Sequence, residues 1–392
     1  MPHIALGAYL LSGTPGYRQA GVHQYAKHLL AGIARTHAPN ITALISPTAR
    51  EEISNLQSLI SIRQASRSTE NPWQRIWVEQ VETPRLLREI KADLYHGLLN
   101  VLPLRTRCPT IVSVMDLSFL TQPHTHRWFN RTYLALFARL SCRKAARVIT
   151  ISEHTKRDVM NYFGVAPDRI DVTPLGVTEN FRRLPDESIA RFKQDHKIGE
   201  QAVFFLGSIE PRKNLTRLIE AFAQLNLQSP ISNLQSPQLF IGGSLGWKYD
   251  ETLARFQSLG LGQQVQLIGR VAETDLPKWY SACNAFVYPS LYEGFGLPVL
   301  EAMACGAPVI TSNVTSLPEV LGDAGIVVEP TDIAALAAAL SQVLCQPQLQ
   351  TELRAKAIQR AAQFTWQRTA QQTFESYRRV LQRTDPKPGA GK

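Results

Sequence analysis

The stretch Tyr288-Pro-Ser-Leu-Tyr-Glu293-Gly-Phe-Gly-Leu-Pro-Val-Leu-Glu301-Ala-Met-Ala-Cys-Gly-Ala-Pro308 carries two glutamates eight residues apart. Its glycines and Pro298 predict a turn from a strand into a helix, with Glu293 in the turn and Glu301 in the helix. Backbone N–H groups at a helix N-terminus bind phosphate, whereas carboxylates repel it but accept hydrogen bonds from hydroxyl groups. The stretch therefore indicates a ligand with both a phosphate and sugar hydroxyls, such as a nucleotide sugar.

Apolar segments alternate with helical segments on both sides of this stretch. The first half of the chain has predicted strands at 4–9, 42–45, 92–96, 110–114, 148–152 and 170–173, and predicted helices at 22–34, 77–90 and 128–146. The pattern restarts with strands at 202–206, 238–242, 265–268, 285–288, 309–311 and 325–328, and helices at 214–225 and 250–259. Such alternation predicts an α/β fold with two doubly wound parallel sheets.

The restart of the pattern divides the chain into predicted domains. We expect an N-terminal domain at 1–180, a C-terminal domain at 195–365, a helix at 366–383 and a disordered tail at 384–392. Residues 226–238 contain a Pro/Ser/Asn-rich repeat, which favours a surface loop.

Composition narrows the class of protein. The five cysteines are scattered and contain no C-x-x-C pair, which argues against disulfides and a zinc site. No apolar run reaches the roughly 18–20 residues that span a bilayer. The beginning of the sequence lacks a basic segment before its first apolar run, so we expect no signal peptide and a cytoplasmic protein.

Positive charge is concentrated in residues 1–200, which hold 26 Lys and Arg against 17 Asp and Glu, a net of +9. The predicted helix at 128–146 and its flanks contribute Arg127, Arg131, Arg139, Arg143, Lys144 and Arg147. A basic amphipathic helix can bind an anionic membrane, which would make the protein peripheral on the inner face of the cell membrane. A helix packed on the sheet with a solvated Arg face remains equally open. No nucleic-acid-binding module accompanies the positive charge, so we expect no nucleic-acid partner.

A second candidate site is the pair Arg212 and Lys213. The pair follows the predicted strand at 202–206 and a turn that begins at Gly207. Fixed cations at this place can stabilise the charge of a departing nucleoside diphosphate and replace Mg²⁺.

These motifs together resemble the retaining glycosyltransferases of the GT-B fold, family 4. The two glutamates match the E-x7-E signature, and Glu210-Pro-Arg-Lys-Asn214 is similar to the family's donor-phosphate segment in its mannosyltransferase-like form. The segments at 148–153, 265–271 and 317–325 also resemble segments of the family in the same order along the chain. The resemblance implies two Rossmann-like domains that face each other across a cleft. It also implies a metal-independent enzyme without a resident cofactor, which uses a GDP- or UDP-linked sugar as co-substrate.

The implied reaction moves a hexose, with mannose favoured, to a glycan or lipid-linked acceptor in cell-surface polysaccharide or glycoconjugate synthesis, with retention of configuration. The implied catalytic residues are Glu293, Arg212, Lys213 and Asp116. The implied donor-binding residues are Gly21, Gly207, Gly294, Phe295, Gly296, Leu297 and Glu301, and no metal ligand is implied. The alternatives are a nucleotide-sugar-binding protein without transfer activity and a nucleotide-sugar epimerase.

The chain departs from the family pattern in its first half. Relatives commonly have His-Asp after the strand at 110–114, whereas this chain has Met115 and Asp116. Asp116 is expected either to contact the acceptor or sugar or to cap a turn. His96, His124 and His126 are candidates to replace the missing histidine, although each is individually more typical of a structural role.

Overall fold

The computed structural model describes residues 2–11, 21–35, 40–122, 128–228 and 237–384. The chain folds into two compact units, of which the first comprises Met1–Gly176 with Thr365–Lys392 and the second Val177–Phe364. The expected loop at 12–16, His124, His126, most of the repeat at 226–238 and the tail from 385 onward lie outside the described residues. None of the helices in the described part of the chain is both long and apolar enough to cross a bilayer.

The described residues of the first unit contain one parallel sheet with the strand order β3-β2-β1-β4-β5-β6-β7. Its strands are β1 (Ile4–Ala8), β2 (Ile41–Ile45), β3 (Ser61–Gln64), β4 (Leu94–Gly97), β5 (Thr110–Val114), β6 (Arg147–Thr150) and β7 (Ile170–Val172). Its helices are α1 (Gly21–Ala34), α2 (Pro72–Trp77), α3 (Thr83–Glu89), α4 (Ser118–Thr121), α5 (Trp128–Lys144) and α6 (Glu153–Phe163). Strands β1, β2, β4, β5 and β6 are almost wholly buried, as expected for a parallel sheet with helices on both faces.

The described residues of the second unit repeat this plan with the order β10-β9-β8-β11-β12-β13. Its strands are β8 (Ala202–Leu206), β9 (Gln238–Gly242), β10 (Val265–Gly269), β11 (Ala285–Tyr288), β12 (Val309–Ser312) and β13 (Gly325–Val328). Its helices are α7 (Asp186–Asp195), α8 (Leu215–Gln228), α9 (Asp250–Ser258), α10 (Leu276–Ala282), α11 (Leu297–Ala304), α12 (Leu317–Leu321), α13 (Ile333–Cys345) and α14 (Pro347–Ala361). Aromatic rings fill its core, where Phe204, Tyr280 and Phe286 pack with centroids 5.1–5.9 Å apart.

Both sheets have the strand order of a doubly wound nucleotide-binding fold, so the predicted fold class is confirmed. In such a sheet the order reverses between two central strands, which are β8 and β11 in the second unit. Ligands of doubly wound proteins bind beyond the carboxyl ends of these strands. The loops that follow β8 and β11 are therefore the expected position of a ligand site in the second unit.

Some elements differ from the sequence prediction. The single helix expected at 77–90 is instead α2, a π-helical turn (Val78–Glu82) and α3. The expected domain boundary left 181–194 outside both domains, whereas α7 belongs to the second unit. Strand β3 was not predicted, because it lies at the edge of the sheet with mostly exposed side chains and its sequence contains no apolar run.

The last helix, α15 (Trp366–Thr384), packs within the first unit although it follows the second in sequence. Tyr377 on α15 is fully buried, and its hydroxyl lies 2.7 Å from Nδ1 of His96 on β4. Nε2 of His96 lies 2.8 Å from Oγ of Ser113, which also bonds the hydroxyl of Tyr25 on α1 at 2.7 Å. This buried network joins α1, β4, β5 and α15.

Candidate active site

The turn between β11 and α11 holds Glu293 as predicted by its glycines. Gly296 has a φ of +102°, and a Cβ at this position would lie 2.7 Å from Cδ2 of Leu317. Only glycine therefore fits this turn, and α11 starts directly after it with Pro298 in its first turn. Gly294 and Phe295 are buried, and the Phe295 ring contacts Phe364 at 6.0 Å between centroids.

The Glu293 carboxylate is buried and its Oε1 accepts four hydrogen bonds. The donors are Nζ of Lys213 at 2.6 Å, Nη1 of Arg212 at 3.0 Å, Oγ of Ser290 at 2.7 Å and the hydroxyl of Tyr288 at 3.1 Å. No described residue donates a hydrogen bond to Oε2 of the same carboxylate. Within the described residues, Glu293 thus has one oxygen fixed by the protein and one that accepts no hydrogen bond.

Charge keeps Glu293 ionised. Burial alone would raise its pKa, but the ammonium of Lys213 and the guanidinium of Arg212 outweigh burial and hold the pKa at about 2. The pKa of Lys213 lies below its ordinary value, because burial and the neighbouring charge of Arg212 outweigh the attraction of Glu293. At neutral pH the turn therefore contains a carboxylate rather than a carboxylic acid.

The loop after β8 is fastened to this turn by its own polar groups. Nδ2 of Asn214, a residue with a φ of +59°, donates to the carbonyls of Pro289 at 3.0 Å and Pro330 at 2.7 Å. The backbone N–H of Leu291 donates to the carbonyl of Arg212 at 2.9 Å. The structure thus brings together the two motifs that the sequence places some eighty residues apart.

Arg212 is oriented by an acid that the sequence analysis did not single out. Its Nε and Nη2 donate to Oε1 of Glu210 at 3.1 and 2.7 Å, while its Nη1 also donates to the carbonyl of Tyr292 at 2.9 Å. Gly207 lies beside Lys213, because a Cβ at Gly207 would be 3.6 Å from Cδ and Cε of that lysine. The position of Glu210 two residues before Arg212 is the local signal that could have identified it.

Glu301 is hydrogen-bonded apart from the cluster around Glu293. It is partly buried on α11, and its Oε2 accepts a hydrogen bond from the hydroxyl of Tyr280 on α10 at 3.0 Å. Burial raises the pKa of Glu301 to about 8, and the charge of Glu273 acts in the same direction, whereas the hydrogen bond from Tyr280 lowers it. The two glutamates of the motif therefore differ in charge state, with Glu293 ionised and Glu301 largely protonated at pH 7.

The candidate residues of the first unit form no comparable cluster among the described residues. Asp116 accepts a hydrogen bond from the N–H of Ser118 at 2.9 Å, the arrangement of a turn cap. Met115 is buried, and Gly21 is the first residue of α1. His96 cannot take the part of the missing histidine, because burial lowers its pKa to about 3 and both its ring nitrogens are bonded inside the unit.

The basic surface expected in the first unit lacks one of its predicted members. Arg147 is buried on β6 and pairs with Asp171, so its inclusion in that surface was wrong. Nζ of Lys144 donates to the carbonyl of Leu104 at 2.7 Å. Exposed side chains on α5 include Arg131, Leu136, Arg139, Leu140, Arg143 and Lys144, whereas Arg127 lies outside the described residues.

Two family models match the chain. The model of Glycosyltransferase Family 4 matches residues 20–181, and the model of Glycosyl transferases group 1 matches residues 186–364. The second match contains β8 to β13, and hence both the 207–214 loop and the turn with Glu293.

Relatives at the sequence level include mannosyltransferases of Escherichia coli. The O-antigen chain mannosyltransferase B is 35% identical over 254 residues, which are 64% of this chain and 65% of that protein. The serotype-specific mannosyltransferase WbdA is 32% identical over 230 residues, which are 58% of this chain and 27% of that protein. The matched region thus spans less than two thirds of the length of these relatives.

Solved structures with the same fold are more distant in sequence. Anabaena Alr3699/HepE in complex with UDP has a TM-score of 0.72 at 20% identity, covering 97% of this chain and 100% of that one. Sucrose-phosphate synthase from Thermosynechococcus elongatus has a TM-score of 0.76 at 21% identity, covering 98% and 100% of the two chains. These likenesses show the two-domain GT-B fold.

Proposed function

We propose that this chain transfers a hexose from a nucleotide sugar to a glycan or lipid-linked acceptor, because the models of Glycosyltransferase Family 4 and Glycosyl transferases group 1 match residues 20–181 and 186–364. The observation that carries the proposal is the Glu293 carboxylate, which two cations hold beyond the carboxyl end of β11. This is the edge of the sheet at which doubly wound domains bind nucleotides.

Lys213 and Arg212 are the proposed partners of the donor diphosphate. A lysine ammonium has three N–H donors, and within the described residues Lys213 uses one for Glu293 and one for Tyr288. Its third N–H can point to a phosphate oxygen. Fixed cations beside the bond that breaks stabilise the departing nucleoside diphosphate, and in this proposal they do so in place of a metal ion.

Glu293 is the proposed contact to the transferred sugar. Its second oxygen, Oε2, can accept hydrogen bonds from sugar hydroxyls and can stabilise positive charge that develops at the anomeric carbon. A carboxyl group with a pKa of about 2 is a weak base at neutral pH. We therefore assign the removal of the acceptor's proton to the departing phosphate, in a front-face substitution that retains the anomeric configuration.

Glu301 is the proposed contact to the ribose of the donor. Its Oε2 is held by Tyr280, which leaves Oε1 to accept hydrogen bonds from ribose hydroxyls. The backbone of 294–297, at the N-terminus of α11, is assigned to the diphosphate together with Gly207. Gly21 and Asp116 in the first unit are retained as proposed contacts to the donor and to the acceptor or sugar.

Mannose is the favoured sugar. Both E. coli relatives are mannosyltransferases by name, one of them of the O-antigen chain, which supports a role in cell-surface polysaccharide synthesis. The structures of HepE contain UDP and UDP-glucose, which supports a nucleotide-sugar donor. UDP-linked sugars are therefore candidate donors in addition to GDP-mannose.

We assign acceptor binding to the first unit, and we propose that this unit attaches to an anionic membrane surface. Leu136 and Leu140 on α5 are 53% and 39% exposed, one helical turn apart, and lie among Arg131, Arg139 and Arg143. Exposed leucines between arginines can enter the interface of an anionic bilayer. A lipid-linked acceptor would be presented at that surface, on the cytoplasmic side of the membrane.

A panel of nucleotide sugars tests the proposal. We expect GDP-mannose to raise the melting temperature more than UDP-glucose, UDP-galactose or UDP-N-acetylglucosamine, and to be hydrolysed slowly to GDP and α-mannose. Stabilisation without any hydrolysis or transfer would favour a binding protein, and conversion to another intact nucleotide sugar would favour an epimerase. Absence of stabilisation by every nucleotide sugar would contradict the proposed donor site.

A further inference from the structure

Thr315 has a backbone conformation that β-branched residues rarely adopt. It lies between β12 and α12 with a φ of +59°. Of the described non-glycine residues with positive φ, it alone is β-branched, since the others are lysines and asparagines. Left-handed backbone at such a residue is strained, and it persists where the surrounding structure imposes it.

The turn is fixed at both of its ends. The N–H of Asn313 donates to the carbonyl of Val328 at 2.8 Å, and the carbonyl of Ser316 accepts from the N–H of Val320 at 3.2 Å. Glycine would adopt the left-handed conformation between these anchors without strain. The contacts of the side chain therefore have to account for a threonine at a position where glycine would be unstrained.

The hydroxyl of Thr315 contacts the backbone of Glu293. Its Oγ1 accepts a hydrogen bond from the N–H of Glu293 at 3.2 Å, and Oγ of the next residue, Ser316, donates to the carbonyl of Glu293 at 2.9 Å. Two successive side chains of one turn thus hold the peptide groups on both sides of the Glu293 Cα atom. Oγ of Ser312 extends this hold by donating to the carbonyl of Ser290 at 2.7 Å.

We propose that Thr315 is a positioning residue for Glu293, and that its hydroxyl fixes the backbone from which the carboxylate is directed at the transferred sugar. The inference rests on the proposed function, because it assumes that Glu293 contacts the sugar. Positioning errors of a fraction of an ångström at a reacting centre slow turnover more than they weaken binding. Loss of the hydroxyl should therefore lower kcat and leave the KM for the donor nearly unchanged.

Three substitutions separate the hydroxyl from the strain. Thr315→Ser keeps the hydroxyl, Thr315→Val keeps the branched shape without the hydroxyl, and Thr315→Gly removes both. We expect the serine variant to hydrolyse GDP-mannose at close to the wild-type kcat, and the valine and glycine variants to lose about tenfold in kcat with an almost unchanged KM. In Thr315→Gly, relief of strain and loss of one hydrogen bond oppose each other, so its melting temperature should stay within about 2–4 °C of wild type.

A kcat of the glycine variant equal to wild type would overturn the inference, as would a loss in the serine variant as large as in the valine variant. Glu293→Gln is measured in parallel, because wild-type turnover in that variant would instead refute the proposed function. Amide hydrogen exchange of Glu293 provides a readout that needs no donor. We expect protection in the wild type and Thr315→Ser and its loss in Thr315→Gly, and equal protection in all variants would also overturn the inference.

Discussion

Replacement of Glu301 by glutamine should make the protein more stable at alkaline pH while it weakens donor binding. The pKa of Glu301 is about 8 in the folded chain against 4.5 for an ordinary glutamate. A raised pKa of an acid means that its contribution to stability is complete below pH 4.5 and is lost as pH rises through 8. Glutamine resembles the protonated carboxyl in shape and has no charge to lose.

The size of the effect follows from the difference between the two pKa values. About 3.5 pH units at about 1.4 kcal/mol each give an upper limit of about 5 kcal/mol for full burial. Glu301 retains some contact with solvent, so we expect about half of this limit, or about 2–3 kcal/mol. For a folding unit of this size, that corresponds to a rise in melting temperature of about 4–12 °C.

Differential scanning fluorimetry between pH 5 and pH 9 measures this prediction. The melting temperatures of wild type and Glu301→Gln should coincide near pH 5, diverge steadily as the pH rises to about 8 and stay apart above it, with the variant higher. Glu273→Gln serves as the control, because this exposed acid is not bonded by Tyr280 and its replacement should leave most of the pH dependence in place. A variant that is less stable than wild type throughout, or a difference that does not change with pH, would refute the assignment of a buried, largely neutral Glu301.

Three further predictions concern the site and the basic helix. Lys213→Met leaves the buried carboxylate of Glu293 with one cation, so we expect the free energy of unfolding to fall by about 2–4 kcal/mol. Donor hydrolysis should be at least about 100-fold slower. An unchanged rate of hydrolysis in a folded variant would contradict the role of the lysine. Tyr280→Phe removes the hydrogen bond to the carboxyl of Glu301, which is the proposed contact to the ribose. Calorimetry should show donor affinity about three- to tenfold weaker, while kcat stays constant. An equal fall in kcat would speak against a binding role. Arg139→Glu on α5 should reduce sedimentation with phosphatidylglycerol vesicles at unchanged donor hydrolysis, whereas undiminished sedimentation would exclude this face.

The parts of the fold that were predicted from sequence are those with strong local signals. Buried parallel strands such as β5, β8 and β11 appear as apolar runs between turn residues, and their predicted bounds coincide with those observed. Strand β3 was missed because an exposed edge strand carries no such run. Helix α7 was taken as a polar interruption, since only Ile189 and Phe192 of its side chains are buried.

The sequence identified the charged members of the candidate site but not the residues that hold them in place. Arg212, Lys213 and Glu293 were chosen as candidates because cations and acids in glycine-containing turns after strands suggest ligand chemistry. Their mutual contact depends on Asn214 and on the order of β8 and β11 in the sheet, which local sequence patterns do not specify. Tyr280 and Thr315 carry no local signal at all, because each meets its glutamate only through tertiary structure.

The release of GDP from GDP-mannose by the wild type and by Glu293→Gln tests the central claim most directly. Glutamine preserves the size of the side chain and removes the charge that Lys213 and Arg212 hold in place. We predict measurable turnover in the wild type and a loss of at least about 100-fold in kcat in the variant, with both proteins folded by circular dichroism. Wild-type turnover in Glu293→Gln would contradict the account.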